Sequence, residues 1–359
     1  MATGWPMKVS YANGDVYSAS DVNDTNGTIN LLGASVAYAA GKNKIINGDF
    51  RFNQRAFTSN TVTSYNFDRW FQSNGGTTGT FTVTPQTFTP GAAPIAGYEG
   101  STFIQGISAA GASADTFAQF VQRIEDVRSF AGQTVTISFF ARATTGTPKI
   151  GLELIQNFGS GGSPSASVNT AVGTATISTS WARYSISIAV PSISGKTIGT
   201  TANTSYLSLN IWLSAGTDFA TRASSIGLQN NTFQVWGVQV ESGSTATAFQ
   251  TATGTIQGEL AACQRYYQFV GGTANGFPMA TFYNSASSQT NRVPISFPVQ
   301  MRTAPTITKN GTWSGNAGQP SAGYISSAGF SFMYDSSGSG MQYIFPDTTD
   351  DTLTISAEL

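Results

Sequence analysis

The stretch Tyr206-Leu207-Ser208-Leu209-Asn210-Ile211-Trp212-Leu213 alternates apolar and other side chains with a period of two. Leu207, Leu209, Ile211 and Leu213 fall on one side of an extended chain, and Tyr206, Ser208, Asn210 and Trp212 on the other. Such a pattern places one wall of a strand on a core. Two further stretches repeat it: Val135, Ile137, Phe139 and Ala141, then Tyr184, Ile186, Ile188 and Val190. More strands are expected at 79–84, 117–124, 149–156 and 232–241, separated by turn clusters such as Gly159-Ser160-Gly161-Gly162-Ser163-Pro164. About eight or more strands without interleaved helices point to a two-sheet sandwich of jelly-roll type.

Outward from this core the texture changes twice. Ile256, Leu260, Cys263 and Tyr267 recur at helical spacing, so 251–268 is expected to connect through a short amphipathic helix. A second β series follows at 278–284, 292–300, 305–309, 328–334, 341–346 and 352–356. Pro294 and Pro298 cannot donate to a ladder, which sends their strand to a sheet edge or breaks it. Toward the N-terminus, Ser18 and Asp21 form a capping-box pattern. Val22, Thr25, Ile29, Leu32, Val36 and Ala39 then recur at three- and four-residue steps. Val22, Ile29, Leu32 and Val36 would line a trimeric helix within 18–40, although Asn26-Gly27 and Gly33 oppose helix. The expected fold is all-β: two consecutive jelly-roll-like β-sandwich domains, 44–250 and 269–359, after an arm over 1–43 and its helix.

Composition removes most chemistry. The 359 residues contain no histidine and one cysteine, which excludes catalytic triads, Cys-His dyads, His-ligated zinc and an intrachain disulfide. Charged residues are 10% and the net charge is −1, so no nucleic-acid footprint exists. No apolar run is long enough to span a bilayer, and the first residues carry no secretory pattern. Paired carboxylates remain for glycoside hydrolysis, but Glu125-Asp126 and Asp347, Asp350, Asp351 read as turn and surface acids. The latter run also has the oxygen chemistry that Ca²⁺ takes; no resident cofactor is expected. Aromatics offer the other option, a ring that stacks on a sugar. Among the available Trp181, Trp212, Trp236 and Trp313, Trp236 reads as core, in series with Val238 and Val240. Trp212, opposite the apolar wall, and Trp313, between Gly311 and Gly315, are the exposed candidates. Tyr324 and Tyr343, in or near the loops 311–324 and 335–340, join them as expected ligand contacts. The alternative for these rings is a trimer interface.

Asn43-Lys44-Ile45-Ile46-Asn47-Gly48-Asp49-Phe50, Asn53-Gln54-Arg55 and Phe67-Asp68-Arg69-Trp70 resemble the start of a jelly-roll module of phage tail and fibre proteins, which is similar to carbohydrate-binding sandwiches. Gln239-Val240-Glu241-Ser242-Gly243 resembles its last strand, and Glu259 to Tyr267 the junction after it. Phe297 to Pro305 and Ala357-Glu358-Leu359 resemble the C-terminal domain of the same family. The resemblance spans 44–359. It implies a virion protein, usually trimeric, with a bacterial-surface ligand. Joined to the missing histidine and the missing secretory pattern, the expectation is a non-enzymatic homotrimer made in the host cytoplasm that binds a surface glycan. Attachment to other virion proteins is expected through residues 1–43. A head or neck decoration protein is the alternative, and a polysaccharide depolymerase is a third.

Overall fold

The alternating stretches are strands in the computed structural model, which describes residues 41–272 and 279–359. The expected trimeric helix at 18–40, with Val22, Ile29, Leu32 and Val36, and most of the arm over 1–43 lie outside the described residues. The rest is all-β, a sandwich of antiparallel sheets.

In the first unit the strands begin with β1 (Ser64–Tyr65), β2 (Phe71–Gly75), β3 (Gly79–Thr87) and β4 (Thr102–Ala110). They continue with β5 (Phe117–Glu125), β6 (Thr134–Ala143), β7 (Lys149–Asn157) and β8 (Val168–Thr176). β9 (Ala182–Ala189), β10 (Tyr206–Ala215) and β11 (Asn231–Ser242) complete it. One sheet runs β1-β2-β5-β10-β7-β8 and the other β3-β4-β11-β6-β9. Leu207, Leu209, Ile211 and Leu213 from the first sheet meet Val135, Ile137, Phe139 and Ala141 from the second in one buried core.

The series Trp236, Val238, Val240 does not keep one phase. Gly237 takes φ 62°, and the β11–β6 register shifts between Trp236 and Gln239. Trp236 pairs with Phe140 on the outer side of the sheet, whereas Val240 pairs with Ile137 on the inner side. The extra residue is a β-bulge, and glycine supplies the left-handed conformation it needs. Trp236 is still buried, because Phe88, Tyr98, Phe140 and Phe249 pack around it at 5.2–5.8 Å.

Helix α1 (Ile256–Gln264) starts where the Thr255 hydroxyl accepts from the Gly258 amide at 3.0 Å. It is shorter than the spacing suggests. Tyr267 opens a strand instead of closing the helix, and Ile256 is exposed. Cys263 is wholly buried, and burial pushes its thiol well above the ordinary range, consistent with a small apolar packing residue.

The second unit has β12 (Tyr267–Gly271), β13 (Ala280–Asn284), β14 (Thr290–Ser296), β15 (Thr306–Lys309) and β16 (Ser314–Gly315). It continues with β17 (Ser321–Ser326), β18 (Gly329–Asp335), β19 (Gly340–Phe345) and β20 (Thr352–Ser356). These form three small sheets, β12-β20-β15, β13-β19-β16 and β14-β18-β17. Strand β14 lies at an edge and stops before Pro298, as its two prolines require.

A charged knot joins the units, and it collects most of the motifs that carry the family resemblance. Arg55 bonds Asp68 at 3.1 Å and Glu358 at 3.0 Å, and lies 3.8 Å over the Tyr267 ring. Arg69 also pairs with Glu358 and lies 3.4 Å over the Tyr266 ring. The Tyr65 hydroxyl donates to the main-chain oxygen of Leu359 at 3.0 Å. Glu241 is likewise structural: it takes Lys42 at 3.2 Å and accepts from the Thr247 amide at 2.8 Å. Gly48 sits where a Cβ would fall 2.2 Å from the Val238 carbonyl oxygen, so its place in the motif follows from close packing.

Candidate functional site

The sequence-predicted ligand residues are not brought together. Trp313 is only 3% exposed; it packs 5.7 Å from Phe332 and donates to the Asn310 carbonyl at 3.3 Å. Trp212 is 1% exposed. It does face away from the main core, but Phe219, Ala223 and Ile226 fold over it, and its indole donates to Glu153 at 3.1 Å. Exposure expected for these two rings is therefore corrected: the segment following its own strand folds back over Trp212, and Phe332 packs on Trp313. Tyr324 and Tyr343 are exposed, on strands β17 and β19 and not in loops, and in different sheets.

The acidic candidates are occupied as turn and ion-pair groups. Asp351 accepts from the Asp347 and Thr348 amides at 3.1 and 2.9 Å. Asp49 takes the Tyr98 hydroxyl at 2.9 Å and Arg51 at 3.3 Å. Glu125 is held by Arg265 at 3.0 Å; burial works against its charge, but hydrogen bonds from Arg265 and Tyr266 outweigh it and lower its pKa. Among the described residues no group of three or more acidic, His or Cys side chains is placed to hold a metal.

The best-formed polar surface lies on the outer face of the five-stranded sheet. The register aligns Thr84 with Gln105, Gln105 with Gln234, and Gln234 with Arg142. Trp181 comes one residue beyond the last β6–β9 pair, Ala141 with Ala182, and so lies beside Arg142. The result is a row crossing four strands and ending on an indole. Its side chains are bonded in sequence: Gln105 Nε2 to Thr84 Oγ1 at 3.3 Å, Gln234 Nε2 to Gln105 Oε1 at 2.6 Å, and Arg142 Nε to Gln234 Oε1 at 2.6 Å. Arg142 Cζ lies 5.2 Å from the Trp181 ring centroid, a cation–π distance.

Two features fix this row in place. Phe88 and Phe103 back the indole at 5.5 and 5.3 Å, so Trp181 is half-buried with a fixed orientation. The amide chain sets which Gln atoms donate and which accept, because Arg142 can only donate. Thr84, Gln105, Arg142 and Trp181 all keep partial exposure. The row can offer an aromatic face, amide groups and a guanidinium to a ligand lying across the strands, and it contains no carboxylate. Of these residues the sequence reading had named only Trp181 as available. Nothing local marks Gln105, Gln234 and Arg142, which are joined by strand pairing alone.

A second exposed surface lies on the sheet β13-β19-β16. Tyr283, 78% exposed, pairs across the strands with Met341, and Thr281 pairs with Tyr343. Tyr343 stacks on Phe345 at 6.1 Å. At its end the Ser314 hydroxyl, opposite Phe345, donates to the Asp347 carboxylate.

No family model matches this sequence, and no curated protein matches it. Solved structures of low similarity include the enzymatically active domain of tailspike protein 4 of bacteriophage CBA120, 16% identical, with a TM-score of 0.31. That match covers 56% of this chain and 21% of the tailspike chain. A family 4 carbohydrate-binding module is 17% identical over 55% of this chain and 98% of its own, with a TM-score of 0.30. A putative sugar-binding protein from Bacteroides thetaiotaomicron is 12% identical over 56% of this chain and 100% of its own, with a TM-score of 0.33. At these scores the likeness assigns no function.

Proposed function

We propose that this chain is a non-catalytic, saccharide-binding structural subunit of a phage appendage that meets the bacterial surface. The observation that carries the binding reading is the row Thr84, Gln105, Gln234, Arg142 and Trp181. Neutral sugars present C–H faces to an aromatic ring and hydroxyls to amides, and this row offers both on one rigid surface. The virion reading rests on the sequence motifs of 44–359. The arm over 1–43 is the proposed attachment to other virion proteins. In this account the host-facing surface moves from the C-terminal aromatics to the first sandwich.

Screening the full chain against an array of bacterial surface saccharides tests the binding reading. At least one saccharide is expected to be retained, with Trp181→Ala and Arg142→Ala each weakening it by about tenfold or more, the scale of one lost stacking or charge-assisted contact. Retention unaffected by either substitution, or release of reducing ends during the assay, would sink this reading.

Self-association is proposed through the exposed side chains of Tyr283, Met341 and Tyr343, with the partly exposed Phe345. A contiguous apolar surface of this kind marks an interaction site on a soluble protein. The full chain is expected to sediment as a trimer at micromolar concentration, and Tyr283→Glu with Met341→Glu to shift it toward monomer. A monomeric native protein contradicts this part alone.

A further inference from the structure

We infer that the cleft where the two units meet is a second ligand site, one that takes a single neutral, hydroxyl-rich ring such as a pyranose. The inference rests on the saccharide reading above only for the ligand's broad class; the cavity itself is independent of the sheet row. It has a volume of about 310 Å³ and is lined by the turn after β5, by residues 198–205 and by Arg302 of the second unit. That volume is at the small end for ligand pockets, and domain junctions are a preferred place for them.

The walls are fixed before any ligand arrives. Arg302 reaches across from the second unit and donates to the Asn203 carbonyl at 2.5 Å, while its other nitrogens hold Ala357 and Glu358 main-chain oxygens at 2.9 and 3.2 Å. Asp126 and Asn203, both lining the cleft, hold left-handed backbone at φ 67° and 60°. Asp and Asn are the non-glycine side chains that accept this conformation most readily, and here they shape the turns of the two loops. The Asp126 amide donates to the Ser205 carbonyl at 3.1 Å, tying the two loops together.

Charge decides the ligand class. Each carboxylate in the cleft already has its cation: Asp126 pairs with Arg128 at 3.2 Å, and Glu125 with Arg265 at 3.0 Å. Two carboxylates and two guanidiniums line the cleft, so it has no net charge to select an ion, and a neutral hydroxylated ligand leaves both pairs intact. Thr201 and Ser205 add hydroxyls to the lining, and Arg128, 62% exposed, has guanidinium nitrogens beyond the one bound to Asp126. No aromatic ring lines the cleft. Recognition here is by hydrogen bonding around a ring's edge and not by stacking.

Saturation-transfer NMR on the full chain with the methyl pyranosides of glucose, galactose, mannose and N-acetylglucosamine tests this. At least one pyranoside is expected to receive transfer. Ala202→Trp fills the cleft from an exposed position and is expected to raise the Kd by about tenfold or more. Thr201→Val is expected to weaken binding with no change in fold. Trp181→Ala is expected to leave this signal unchanged. Absence of transfer to all four pyranosides, or transfer insensitive to both cleft variants, overturns the inference. Loss of transfer in Trp181→Ala alone would place all binding on the sheet row, which also overturns it while leaving the proposed function standing.

Discussion

Arg69→Ala is expected to destabilise the protein by about 3 kcal/mol, from the loss of one of the two guanidiniums on a buried carboxylate together with the space its side chain fills. The side chain is almost completely buried, pairs with Glu358, donates to the Arg123 carbonyl and covers the Tyr266 ring. Burial alone would lower its pKa, but the charge of Glu358 and the neighbouring tyrosines holds it protonated and raises it. Removing it strips Glu358 of one of its two arginines, since Arg55 remains at 3.0 Å. Glu358→Gln, which keeps an acceptor, should cost less than Glu358→Ala. Guanidinium denaturation followed by fluorescence checks both, and a loss below about 1 kcal/mol for Arg69→Ala would show the pair to be worth no more than a surface contact.

Trp236→Ala should cost a similar amount, about 3–5 kcal/mol, for a different reason. The indole fills the space among Phe88, Tyr98, Phe140 and Phe249, and its truncation leaves a cavity that four rings anchored elsewhere cannot close. Its Nε1 is buried without a partner, so Trp236→Phe removes an unmet donor along with some volume and should cost clearly less. The same denaturation series separates the two. Because Trp236 packs on Phe88, and Phe88 on Trp181, Trp236→Ala should weaken saccharide retention as well.

Much of the fold was legible because period-two alternation is a local property. Strands β6, β9 and β10 announce themselves within eight to ten residues each. Strand β4 did not, since Gly106, Ala109 and Ala110 dilute its pattern, and edge strand β8, rich in Thr and Ala with little burial, gave no apolar wall to see. The bulge at Gly237 inverted the phase of Trp236, and a single glycine in a strand does not say which way the chain continues. The candidate site was the least legible part. Gln105, Arg142 and Gln234 come from three distant stretches, and only pairing of β4 and β6 with β11 makes them neighbours. Exposure of Trp212 and Trp313 failed because strand alternation does not show what folds over an outer face: the short segment after its own strand covers Trp212, and Phe332 covers Trp313. Arg55, Asp68, Arg69, Tyr266, Tyr267 and Glu358, by contrast, stand in motifs that are visible in the sequence, and the structure joins them at the junction between units.

Intrinsic fluorescence tests the central claim most directly. Of the five tryptophans in the described residues, Trp70, Trp212, Trp236 and Trp313 are buried and Trp181 is the partly exposed one. Titrating the full chain with a saccharide retained on the array is expected to give a saturable change in emission. The change should vanish in Trp181→Phe while the variant unfolds at the same denaturant concentration. A titration curve identical in wild type and Trp181→Phe would contradict the account.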